Sequence, residues 1–150
     1  MADVLSKKKR SEVMAAVCSK GNRATELKLI SIFLESGITG WRRNQRLTGK
    51  PDFVFHRERL AVFVDGCFWH GCPIHGELPA TNRKYWRAKL ARNKARDRQV
   101  AKMLRNQKWR VLRLWEHSLR NPSQAAMKIR GHPRISGRAT AIPHNTRFVV

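Results

Sequence analysis

The apolar positions of this chain change their period several times, and each change marks an element. From Ala24 the spacing is helical, with Leu27, Ile30, Phe33 and Leu34 on one face and Gly37 as a C-terminal stop. Residues 41–46 read as a short strand, followed by the turn Thr48-Gly49-Lys50-Pro51. Residues 52–55 and 60–64 read as two further strands joined by a charged turn. The run Leu60-Ala61-Val62-Phe63-Val64 is apolar without a break, as in a strand covered on both faces. Residues 67–79 form a predicted loop rich in Cys, His and Gly. Thr81 can cap a long basic helix reaching about Asn106, with Trp86, Leu90, Val100 and Leu104 among its apolar positions. Residues 109–115 read as a third buried strand with Trp109 and Trp115 in the core, and a short helix follows Pro122.

Helices flanking a small mixed sheet make this an α/β (α+β) chain, and its 150 residues suit one core. The elements divide it into a basic N-terminal arm, residues 1–22, a folded domain, 23–120, and a basic extension, 121–150. The last 20 residues have no clear period, which is compatible with disorder. No segment approaches about 18 uninterrupted apolar residues, and the start lacks the apolar core of a signal peptide, so no membrane partner is expected.

Charge points to the partner. Against 10 Asp and Glu stand 32 Lys and Arg, a formal net charge of +22. Self-repulsion on that scale disfavours a compact state unless a polyanion is the usual partner, and nucleic acid releases counterions when Lys and Arg meet phosphates. Three cysteines, Cys18, Cys67 and Cys72, do not make a disulfide framework and point to a reduced cytosol. Cys67 and Cys72 are therefore candidate metal ligands.

Two constellations carry chemistry. Pro51-Asp52 opens one strand and Asp65 closes the next, and carboxylates at neighbouring strand ends can hold Mg²⁺ against a phosphate. The second is Cys67-Phe68-Trp69-His70-Gly71-Cys72-Pro73-Ile74-His75. Its Cys67, Cys72 and His75 have zinc-ligand spacing, with His117 the best candidate for a fourth ligand and His70 the alternative. Left free, His70 could take a proton from an attacking water beside Asp52 and Asp65. Phe68 and Trp69 in the loop, and Trp86 among Arg83, Lys84 and Arg87, suit stacking on or wedging between bases.

The stretches GKPDFVF (49–55), FVDGCFWHGCPIHGELPATNRKYWRAKLARNKARDR (63–98) and KWRVLRLWEHSL (108–119) resemble the very-short-patch repair (Vsr) endonuclease family. The opening RSEVMAAVCSKGNRATELKL (10–29) is similar to that family's first segment. The resemblance implies a restriction-endonuclease-like fold and Mg²⁺-dependent nicking of one strand, 5′ of the thymine in T:G mispairs left by deaminated 5-methylcytosine. By position it implies Asp52 as the Mg²⁺-binding acid, with the Val64 carbonyl beside it. Asp65 holds an active-site position, His70 matches the general base, and Glu26 matches an acid on the first helix. Phe68, Trp69 and Trp86 match aromatics that wedge the DNA open, and Cys67, Cys72, His75 and His117 match the ligands of a structural Zn²⁺. Double-stranded DNA is the implied substrate of a monomer in the bacterial cytosol, at the nucleoid. Mismatch-repair proteins and a functional link to a DNA cytosine methyltransferase extend the expected partners.

The chain departs from the pattern at three places. Where PD-(D/E)xK nucleases carry a Lys two residues after Asp65, Cys67 stands, which leaves the proton work to His70. His117 replaces the Cys of many relatives, and residues 17–23 (VCSKGNR) lack the usual lysines. Two other readings compete: a restriction-type or toxin nuclease on the same fold without mismatch preference, and a zinc-stabilised DNA-binding module without catalysis.

Overall fold

A computed structural model describes residues 23–132, so the basic arm and residues 133–150 lie outside the described part. Helix α1 (Arg23–Glu35) leads into β1 (Trp41–Arg43), β2 (Phe53–Phe55) and β3 (Leu60–Asp65). Helix α2 (Arg83–Asn106), β4 (Arg110–Trp115), a 3-10 turn (Glu116–Arg120) and α3 (Pro122–Arg130) complete the order. The sheet runs β1-β2-β3-β4, antiparallel except between β3 and β4, which are parallel. It is the mixed sheet flanked by helices that the periodicity predicts. No helix among the described residues is long and apolar enough to cross a membrane.

The alternation of β3 distributes two cores. Leu60 and Val62 join Leu29, Ile32, Phe33, Phe53, Phe55 and Leu114 under α1 and α3. Ala61 and Phe63 face the other way, against Leu104 and Val100 of α2. Asp65, two residues beyond Phe63, continues the α2 side past the end of the apolar rows. Register in the parallel pair sets Arg113 beside Phe63, so its guanidinium also reaches that side.

Four expectations change. In α1 the buried stripe is Leu29, Ile32 and Phe33, while Leu27 and Leu34 are exposed, 50 % and 70 %. Both stripes are apolar, but only the first brings Phe33 against Trp41, Phe53 and Phe55, with ring centroids 5.1–5.8 Å apart. Strand β4 is an edge rather than a third buried strand. Only Leu114 in it is fully covered, and Trp109 and Trp115 are half-buried. Asn82, in a left-handed conformation and without a side-chain cap bond, precedes α2 in place of Thr81. Helix α3 buries Ala125, Ala126 and Ile129 in the main core, so packed structure continues past residue 120. Gly37 does end α1: at φ 65° it lets the Ile38 N–H return to the Phe33 carbonyl at 2.8 Å.

Phe33 joins helix and sheet through three aromatic contacts and is fully buried. Phe33→Ala should cost about 3–5 kcal/mol of unfolding free energy in urea denaturation, through lost transfer energy and an uncollapsed cavity. A loss under about 1 kcal/mol, the scale of an ordinary substitution, would mean the α1–sheet contact is not the one described.

Candidate active site and metal centre

Four acids meet at the end of the sheet where β2 begins and β3 ends. Asp52, just before β2, accepts the Val64 N–H at 2.7 Å through Oδ2. Glu26 comes from the first turn of α1 and is ion-paired with Arg43 of β1. Asp65 receives both Nε and Nη2 of Arg113 at 2.7 Å, the two-pronged geometry that guanidinium and carboxylate planes favour. Asp97 reaches in from α2, where its Oδ1 lies 3.2 Å from Arg113 Nη2 and its Oδ2 lies 2.6 Å from His70 Nδ1. His70 Nδ1 is 3.8 Å from Asp65 Oδ1, so the Asp97 contact is the hydrogen bond.

The acids are not equivalent. Glu26, Asp65 and Asp97 each have an arginine, whereas Asp52 has only a backbone N–H among the described residues. Burial pushes the Asp52 carboxyl up to about 6, and the charges of Glu26 and Asp65 add to the rise. The Val64 hydrogen bond and Arg113 oppose it. A carboxylate so placed is the group in this cleft that gains most from an added cation. A cavity of about 440 Å³ is lined by Asp65, His70, Asp97 and Arg113 together with Lys94 and Arg98.

The loop after β3 closes on itself. The Cys72 N–H bonds the Cys67 carbonyl at 2.9 Å, and Gly71 turns with φ 61° against the Lys94 side chain. That closure brings Cys67, Cys72, His75 and, from the 3-10 turn, His117 together, with donor atoms all within 4.8 Å of one another. Tetrahedral N/S donors around one ion lie about 3.3–3.8 Å apart, so a small inward movement suffices. His117 Nδ1 already lies 3.2 Å from Cys67 Sγ and 3.6 Å from Cys72 Sγ. These four can hold one metal ion. His70 stands outside this cluster, with its Nδ1 on Asp97.

Between the two cysteines the loop carries Phe68 and Trp69 over α2. Phe68 lies 5.0 Å from Trp69 and 5.2 Å from Trp86, ring centre to ring centre. Trp86 is buried beneath them rather than exposed beside the basic helix, while Tyr85 next to it is 53 % exposed. The Lys89 ammonium stands 5.2 Å over Trp69 and 5.4 Å over Trp86. Arg83, Lys84 and Arg87 lie on the exposed surface of α2, as their sequence suggests.

Sequence reasoning missed Asp97, Arg113, Arg43 and Tyr85. Asp97 sits in a run of lysines and arginines and looks like a solvated helix position. Its one signal is that it is the only acid in α2.

Residues 2–75 match a family model described as DNA mismatch endonuclease Vsr. A DNA mismatch endonuclease Vsr of Escherichia coli is 38 % identical over 122 residues, 80 % of this chain and 77 % of that protein. Over 78 residues the identity to the type II nicking enzyme V.NaeI of Lentzea aerocolonigenes is 55 %, a match spanning 52 % of this chain and 47 % of that enzyme. The type II nicking enzyme V.XorIIP of Xanthomonas oryzae is 39 % identical over 79 % of this chain and 88 % of its own length.

The raised Asp52 pKa has a stability consequence. With the folded value near 6 and the ordinary one at 3.8, the native chain binds more protons than the unfolded one between them. Stability therefore falls as pH rises through that window. Without added divalent cation, Asp52→Asn should be more stable than the parent by about 1–3 kcal/mol at pH 7.5 and level with it below about pH 4. Urea denaturation at both pH values checks this, and a less stable Asp52→Asn at pH 7.5 contradicts the electrostatics described.

Proposed function

We propose a reaction on one premise: this chain belongs to the Vsr family of DNA mismatch endonucleases. The family and its nicking relatives make the chain a DNA-nicking endonuclease. Its finer activity, in our reading, is hydrolysis of one strand 5′ of the thymine in a T:G mispair, on a restriction-endonuclease-like fold. The observation that carries this reading is the cleft of four acids in which Asp52 alone lacks an arginine.

Asp52 would hold Mg²⁺, with the Val64 carbonyl as second ligand. When bound, the ion supplies charge neutralisation for the phosphodiester and activation of water. Glu26 and Asp65 shape the field at Asp52, and both raise its proton affinity. His70 donates Nδ1–H to Asp97, a tautomer assigned from the partner, which leaves Nε2 unprotonated. Nε2 can then accept a proton from the attacking water as the water oxygen joins phosphorus and a bridging P–O bond breaks.

Cys67, Cys72, His75 and His117 would hold a structural Zn²⁺: two thiolates and two imidazoles leave no open position for chemistry. By closing the loop they would fix His70 and the aromatic pair together. Phe68 and Trp69, with Trp86 as their floor, would part the strands at the mispair. Unstacking costs a few kcal/mol per step and least where pairing is already defective, so a wobble pair favours its own opening. Arg83, Lys84, Arg87 and residues 1–22 would contact phosphates. Mismatch-repair proteins and a cytosine methyltransferase remain the partners this reading suggests.

The deciding assay is nicking of labelled duplexes in Mg²⁺. The chain should cut the T strand of a T:G duplex at least tenfold faster than the matched duplex, equivalent to about 1.4 kcal/mol of discrimination. Asp52→Ala should abolish cutting and leave DNA affinity within about twofold, since the basic contacts remain. Equal cutting of both duplexes favours a nuclease without mismatch preference. Cutting by Asp52→Ala at the parent rate removes Asp52 from the chemistry.

Metal analysis of protein purified without chelator should find one zinc per chain. Cys72→Ser should lower both zinc content and melting temperature, because binding and loop closure are coupled. Unchanged stability in Cys72→Ser contradicts the assignment of Cys72.

A further inference from the structure

The His70 ring has two carboxylates to choose from. Its Nδ1 is 2.6 Å from Asp97 Oδ2 and 3.8 Å from Asp65 Oδ1. Arg113 removes the ambiguity. Its Nε and Nη2 engage both oxygens of Asp65 at 2.7 Å, and Nη2 also reaches Asp97 Oδ1 at 3.2 Å. Of the four oxygens on these two acids, only Asp97 Oδ2 is left without the guanidinium, and that oxygen holds His70. Arg113 is itself fixed. Its planar group lies 4.7 Å over the Phe63 ring beside it in register, and its Nη1 is buried with no hydrogen-bond partner among the described residues.

We propose that Arg113 is a positioning residue for strand cleavage: by clamping Asp65 and one oxygen of Asp97 it commits His70 Nδ1 to Asp97 and aims Nε2 at the cleft. The proposal rests on the reading of this cleft as the nicking site. Geometry gives the role to arginine in particular. A guanidinium bridges two carboxylates with fixed prongs, whereas an ammonium is a single point charge without that fork. Arg113 also sits on the strand next to Asp65, where the chain lacks a lysine two residues further on and has Cys67.

Three variants test this: Arg113→Met, Arg113→Lys and Asp97→Asn, with the double variant Arg113→Met/Asp97→Asn. Each is measured for single-turnover nicking of the T:G duplex, for duplex affinity, and for the His70 tautomer by ¹⁵N imidazole resonances. Arg113→Met should slow nicking about 100-fold, the lower end of what a positioned base contributes, with affinity unchanged. Its His70 should show mixed tautomers where the parent shows Nδ1–H alone. Arg113→Lys should recover part of the rate. The double variant should be no slower than Asp97→Asn, because both act through one hydrogen bond.

Four results overturn the proposal. They are a parent-like nicking rate in folded Arg113→Met, a lost rate with the His70 tautomer unchanged, a parallel loss of affinity that makes Arg113 a phosphate contact, and multiplying losses in the double variant. If Arg113→Met does not fold, the Arg113→Lys tautomer and rate decide alone: parent values for both overturn the clamp. Should the parent cut no duplex at all, the nuclease reading fails, while the tautomer signal still decides whether Arg113 sets His70.

Discussion

In a chain with a net charge of +22, four of only ten acids are gathered at one end of a four-stranded sheet. Like charges that close cannot all stay ionised without cations, and the fold supplies two arginines for the purpose. Arg43 takes Glu26, and Arg113 takes Asp65 and Asp97. Asp52 is left over, buried and without an arginine ion pair, so that only the Val64 N–H and the charge of Arg113 favour its ionised form. The imbalance resides at one carboxylate, and everything else in the cleft follows from it. In the reading proposed above, an external cation would bind there and a phosphate would approach it, while His70 is held by its own carboxylate, Asp97.

The parallel pair of β3 and β4 makes this arrangement possible. Their register sets Phe63 beside Arg113 and Asp65 beside Trp115, on a sheet whose α2 side is apolar as far as Phe63 and polar beyond it. The change occurs within two residues. Immediately after it, Cys67 begins a loop in which the four residues before Cys72 include both His70 and the Phe68–Trp69 pair. One ion at the Cys/His cluster would therefore fix the position of His70 and of the aromatics at once. The same closure lays Phe68 and Trp69 on Trp86, so the aromatic cluster has a buried floor and an exposed rim at Tyr85.

Much of this is legible in the residues. Continuous apolarity marks β3, the Cys and His spacing marks a loop that could hold a metal, and Pro51-Asp52 with Asp65 marks two of the clustered acids. What the sequence hid were pairings across long separations. Arg113 lies in a strand that reads as apolar, and nothing local says that its partner is Asp65, 48 residues earlier. Asp97 is surrounded by basic residues and pairs with His70 only because α2 crosses that face of the sheet. Helix α1 offers two apolar stripes, and the choice between them is made by Trp41, Phe53 and Phe55, none of them in the helix. Charged neighbours make Trp86 look like a stacking group for bases, yet it is buried with the loop aromatics against it. Periodicity locates elements; it does not say which face of a helix another segment will cover.

The central claim is that Asp52 is the cation-binding carboxylate of the cleft. The most direct measurement is carboxyl ¹³C NMR of the aspartates as Mg²⁺ is added at constant pH. The account predicts that near pH 6, where Asp52 is only partly ionised without the ion, the Asp52 resonance moves first, toward its ionised position, while Asp65 and Asp97 stay on Arg113 with little change. An Asp52 resonance indifferent to Mg²⁺, or an Asp65 resonance that responds before it, contradicts the account.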